Sequence, residues 1–231
     1  MRKIVAESFS AFINETEVFD LVADLVLFRG QAIEGGLLPG IARTNPKADT
    51  TAKEKLALAQ LGLMGASFAD LNRATQLDLL VVAQHFGLRT RLLDWTSNPL
   101  AALWFACADS KHGDTYVYAL VADKLQKTGL YDVKDPFLVP VTRAFQPRLN
   151  NPRIVAQHGW FTLHRFSSSV GAFVPLDVNR KTRAELTEIR IPAEKREDIL
   201  RSLDRHGINR RTLFPDVEGL CRFINWKLDL N

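Results

Sequence analysis

Three clusters of polar residues stand at the ends of apolar runs, where a scaffold presents side chains to a ligand. The first is Phe28-Arg29-Gly30-Gln31. An arginine directly after a buried run can have its guanidinium fixed by neighbouring backbone, and Gly30 lets a ligand or another strand come close to the main chain. That geometry suits a phosphate. The competing structural reading pairs Arg29 with an internal carboxylate and gives Gly30 the task of turning the chain. The second cluster runs over residues 84–96 and crowds His85, Arg89, Arg91, Asp94 and Thr96 around one helix-to-strand connection. A dense polar loop between apolar elements is costly unless its groups satisfy each other or a ligand. Asp94 can pair with Arg91 or Arg29, and His85 can be a hydrogen-bonded core imidazole. The third covers residues 150–161. Read as a strand, it places Arg153, Val155, Gln157 and Gly159 on one face, a ligand floor with hydrogen-bonding arms or else an edge-strand surface.

The elements that must position these groups follow from spacing. Residues 25–28 form a short apolar run stopped by Arg29-Gly30, which suits a buried strand ending in a tight turn. Helices are expected over residues 50–64 and 67–84, the second carrying Leu77, Leu80, Val81 and Gln84 on one stripe and ending at Gly87. Residues 90–95 read as a short strand. Asn98 can then cap a buried helix with Pro99 in its first turn, and Leu100, Leu103, Trp104 and Cys107 fall on its core face. Residues 115–121 alternate as a strand does, Tyr116, Tyr118 and Leu120 against Val117 and Ala119. Residues 154–163, 172–174 and 186–191 are further strand candidates, and helices over 193–205 and 216–226 close the chain. Strands and helices mix without regular βαβ alternation, so the expected class is α+β.

The 231 residues, 46% of them hydrophobic, suffice for one domain with a core of its own, expected over about residues 20–227, and exclude a disordered or collagen-like chain. Cys107 and Cys221 are far apart, with no CxxC or Cys/His cluster, so no metal is expected and reduced thiols in the cytoplasm are the default. No apolar run has the length of a membrane span, so no membrane partner is expected. GxSxG, HExxH, Walker A and GxGxxG signatures are missing, which sets aside the enzyme classes built on them. The net charge of +4 is uneven. Residues 141–231 hold 16 basic and 10 acidic side chains, against 14 and 16 before them, which makes a basic C-terminal face plausible.

The three clusters, in this order, resemble the FRG domain family, named for its Phe-Arg-Gly motif. The likeness rests on Phe28-Arg29-Gly30-Gln31, on His85 and Gly87 leading into Thr90-Arg91-Leu92-Leu93-Asp94-Trp95-Thr96, and on Asn98-Pro99 before Ala102-Leu103-Trp104-Phe105-Ala106. It continues through Arg153, Gln157, Gly159 and Phe161 to Leu213-Phe214-Pro215-Asp216. The family is mainly bacterial and phage-associated, and its name implies little chemistry. A more distant resemblance is to the ADP-ribosyltransferases, which implies a mixed sheet core with flanking helices and NAD as the candidate substrate. On that resemblance Arg29 takes the place of the arginine that holds an NAD phosphate or ribose. Thr96, with Ser97, lines the nicotinamide pocket, and Gln157 falls where the superfamily carries a glutamate. A neutral amide supplies no negative charge to a developing cation, so another carboxylate such as Asp94 or Glu218 supplies it, or the pocket binds without turnover.

The expected function is therefore an FRG-domain protein with a nucleotide pocket of NAD-like specificity, an ADP-ribosyltransferase or NAD glycohydrolase in bacterial or phage conflict. His85, Asp94, Thr96 and Gln157 are the candidate catalytic residues, and Arg29, Gly30, Gln31, Arg91 and Arg153 the candidate binding residues. Arg91 or Arg153 would grip a second phosphate, and Trp95 or Phe161 would stack on a ring. The alternatives are a nucleic-acid-binding module that uses Arg201, Arg205, Arg210 and Arg211, and a protein-interaction domain.

Overall fold

The computed structural model describes residues 1–65, 74–108, 113–126, 129–148 and 151–230. Its strands are β1 (Arg2–Val5), β2 (Val26–Gln31), β3 (Leu92–Thr96), β4 (Thr115–Val121), β5 (Arg143–Phe145), β6 (Gly159–Leu163), β7 (Phe166–Ser167), β8 (Ala172–Phe173) and β9 (Leu186–Ile191). Its helices are α1 (Phe9–Glu17), α2 (Thr51–Met64), α3 (Gln76–His85), α4 (Pro99–Ala108), α5 (Pro152–Ala156), α6 (Arg180–Ala184), α7 (Arg196–Arg205), α8 (Arg210–Leu213) and α9 (Val217–Lys227). Seven strands form one mixed sheet in the order β1-β9-β4-β2-β3-β6-β5, and β7 and β8 make a separate hairpin. β1 lies parallel to β9, whereas the other neighbours in the sheet are antiparallel. The expected mixture of strands and flanking helices is what the chain adopts. β1 starts the sheet well ahead of the expected core.

Period-two alternation sorts β4 between two cores. Val117 and Ala119 join Phe28, Ile189 and the apolar faces of α1, α4 and α7, while Tyr118 and Leu120 pack with Leu27, Leu93 and Trp160 on the opposite face. A third cluster holds α2 and α3 against Leu92, Phe161 and Leu163. The caps are local and strong. Asn98 Oδ1 accepts from Leu100 N at 2.9 Å at the start of α4, and Thr75 and Asp78 form a reciprocal capping box at the start of α3.

Two sequence expectations are corrected. Arg29-Gly30 does not end a strand in a turn, because β2 continues to Gln31 with Gly30 in register with Val117. The glycine serves a close approach instead: a Cβ there would sit 1.9 Å from the Ala102 carbonyl oxygen and 2.5 Å from Ala106 N, so α4 lies directly on the bare backbone. The expected strand over residues 154–163 is in fact α5 followed by β6. Asn151 caps α5 by accepting from Arg153 N at 2.9 Å, with Pro152 in the first turn, and this local signal outweighs the β-branched composition. Arg153 and Gln157 therefore share no strand face. Residues 67–73 of an expected helix, and Asn150 of the third cluster, lie outside the described residues.

Among the described residues, no helix is long and apolar enough to cross a membrane.

Candidate functional site

β2 and β3 share one register pair, Phe28 with Thr96, and past it they part. A carbonyl on the parted edge needs a donor. Arg29 supplies it, its Nη1 donating to the Asp94 backbone oxygen at 2.7 Å. Gln31 Oε1 accepts from Arg29 Nε at 3.3 Å, and the Gln31 amide is itself fastened to the Ile33 and Gly35 carbonyls. The fork is thus aimed by two fixed acceptors, and Nη2 keeps no protein partner among the described residues. Burial, with Arg43 adding repulsion, lowers the Arg29 pKa to about 10 against the pull of Asp94, so the group stays charged at neutral pH.

At this parting the surface folds into a cleft of about 320 Å³. Arg29, Gly30 and Phe28 form one wall, and Asp94 and Thr96 of β3 face them. The end of α3 brings Gln84 and His85, α4 brings Ala102 and Phe105, and α5 with its cap brings Arg153 and Gln157. Phe214, just after α8, closes one end. Three clusters, the outer two more than a hundred residues apart, therefore meet in one hollow. Arg29 is not sealed by a carboxylate: the Asp94 carboxylate stands 3.8 Å from Nη1, and its own side chain is half exposed.

Each group is held by its neighbours. Gln84 Nε2 donates to Asp94 Oδ2 at 2.9 Å while Gln84 Oε1 accepts from Thr90 at 2.8 Å, which fixes the amide and so the carboxylate. Asn151 Oδ1 is committed to Arg153 N, so Asn151 Nδ2 faces His85 Nε2 at 3.1 Å and the imidazole must accept there. Burial, then the Arg153 charge, pushes the His85 pKa down, consistent with a neutral ring whose proton sits on Nδ1. Thr96 Oγ1 donates to the Gln157 carbonyl at 2.7 Å and accepts from Asn98 N at 2.9 Å, so its hydroxyl is spent on joining β3, α4 and the end of α5. Gln157 Nε2 donates to the Leu213 carbonyl at 3.1 Å. Arg153 is bound to Asp216 through Nε at 2.7 Å and Nη2 at 2.6 Å and lies over the Phe214 ring.

Two candidates stand apart from the cleft wall. Gln31 orients Arg29 from behind. Arg91 points inward, donating from Nε to Glu54 at 2.8 Å and from Nη2 to Thr51 at 3.0 Å, with its guanidinium 4.1 Å from the Phe137 ring centre. That pair is fully buried, so Arg91 is structural. The aromatic expectation also moves. Trp95 borders the cleft, but its indole N–H is spent on Thr162 at 2.9 Å, and Phe161 lies in the core. Phe105 and Phe214, edge to face at 6.0 Å, take the wall position. Both occur in motifs that the sequence offered, without a signal that they turn to the cleft.

The FRG domain family model covers residues 24–115, which supports an FRG domain there and takes in Arg29, His85, Asp94 and Thr96. Arg153, Gln157 and Phe214 fall beyond it. Neither the curated proteins nor the solved structures yielded a match.

Proposed function

We propose that the cleft binds an NAD-like nucleotide and that the protein, as an FRG-domain enzyme, cleaves the bond between ribose and nicotinamide. The observation that carries this reading is the Arg29 fork, oriented by the Asp94 carbonyl and Gln31 with Nη2 left for a ligand oxygen, on the same wall as a lone carboxylate. A guanidinium so held suits a phosphate. Asp94 is the one acidic side chain lining the cleft among the described residues, so it is the group able to face a developing oxocarbenium ion. Glu218, the other candidate for that charge, is engaged by Arg222 at 2.7 Å and lies off the wall. Phe105 and Phe214 line the cleft with apolar surface for a base or nicotinamide ring. The volume is at the low end of the range for small-molecule sites, about 300–1,000 Å³, and accommodates one half of a dinucleotide with the other half across the rim.

In the reaction, the ribose C1′–nicotinamide N bond breaks with its electron pair leaving on nicotinamide. Water or an acceptor nucleophile forms the new bond to C1′ and gives up a proton. Release of free nicotinamide from NAD, followed by proton NMR, tests this. Asp94→Asn is expected to slow release by about 100-fold or more, the scale of losing a main electrostatic stabiliser. Equal rates for Asp94→Asn and wild type, or no release by wild type, would remove the catalytic assignment.

A further inference from the structure

We propose that a second groove, separate from the cleft, binds a small molecule carrying a polyphosphate. The groove measures about 650 Å³ and lies where the end of β4, β5, the β7–β8 hairpin and α6 meet. It shares no lining residue with the cleft around Arg29. Four cations line it: Lys124, Arg143, Arg165 and Lys181. The one acid on its wall among the described residues, Glu185, is already taken by Lys124 at 2.8 Å. Arg143, Arg165 and Lys181 have no ion pair among the described residues.

An excess of three unopposed cations in a single concavity raises the local potential and selects multiply charged anions. The Ser167 and Ser169 hydroxyls, hydrogen-bonded to each other at 3.1 Å, stand on the same wall, and the pair keeps one proton to donate. Val121, Leu125 and Val141 give the groove an aliphatic side, so there is room for an organic body beside the phosphates.

The test is equilibrium dialysis of inorganic tripolyphosphate, and separately of ATP, against Arg29→Ala protein, in which the cleft arginine is gone. Its comparison is Arg29→Ala carrying Arg165→Glu and Lys181→Glu, both at exposed positions that fold without these charges. The site predicts binding to the first protein and at least tenfold weaker binding to the second. Tighter binding of ATP than of tripolyphosphate identifies a nucleotide as the ligand, and equal binding identifies the inorganic chain; either order supports the site. Absence of binding to Arg29→Ala, or equal affinity in the two proteins, overturns the inference whatever becomes of the NAD reading.

Discussion

Two arginines, one from each of the first two clusters, meet opposite fates, and the partners they find decide which. Arg91 reaches Glu54 on α2, 37 residues earlier, and is lost to the interior. Arg29 meets a carbonyl and an amide, and remains available. No spacing rule in the sequence announces the partner of Arg91, so both read alike as phosphate grips until the helices are placed. Arg29, His85 and Asp94 were legible because each sits where an apolar run ends. His164 was not, because it looks like one more residue past a strand. Buried beside Thr162, and repelled by Arg29 and Arg91, it has its pKa lowered to about 3 from 6.5, desolvation being the main cause. The unfolded chain binds a proton near pH 6.5 and the folded chain does not, so stability is full above that pH and falls as pH drops toward 3. The expected slope is up to about 1.4 kcal/mol per pH unit. Urea unfolding at pH 7, 5 and 4 should show a smaller loss in His164→Asn than in wild type; identical losses would refute the assignment.

At the scale of elements, the cleft exists because α4 lies on the bare backbone of β2 while β3 leaves that strand after a single register pair. Gly30→Ala should therefore act as an overpacking change against main chain, costing about 3 kcal/mol or more and weakening ligand binding as α4 is displaced. Thermal unfolding and ligand titration of the variant read both effects, and wild-type stability would contradict the packing account. The Asn-Pro signal shows how legibility varies. Before α4 it is followed by an Ala-rich run and announces a helix. Before α5 it is followed by Ile154 and Val155, whose β-branched character suggests a strand, yet the cap prevails for five residues before β6 begins. Strands with alternating faces, β4 and β9, were readable to the residue, whereas β1, at the sheet edge with a mostly exposed face, carried no such pattern.

For the whole molecule, strand order was beyond the sequence because it depends on contacts such as β1 with β9, which join residues 2–5 to residues 187–190. The charge asymmetry was visible but not its use. In the C-terminal helices Arg201 pairs with Glu197, Arg222 with Glu218 and Lys227 with Asp204, so much of the basic excess there is internally opposed, while Arg143, Arg165 and Lys181 line the groove at β5 and α6 with no ion pair among the described residues. The central claim is that three distant segments build one nucleotide cleft around Arg29. Calorimetric titration of NAD into wild type and Arg29→Ala, with circular dichroism to confirm that both are folded, tests it most directly. The account predicts saturable heat for wild type and a loss of about 1.5–3 kcal/mol of binding energy, roughly ten- to a hundredfold in affinity, on removal of the guanidinium. No heat with folded wild type, or equal affinity in the two proteins, would contradict it.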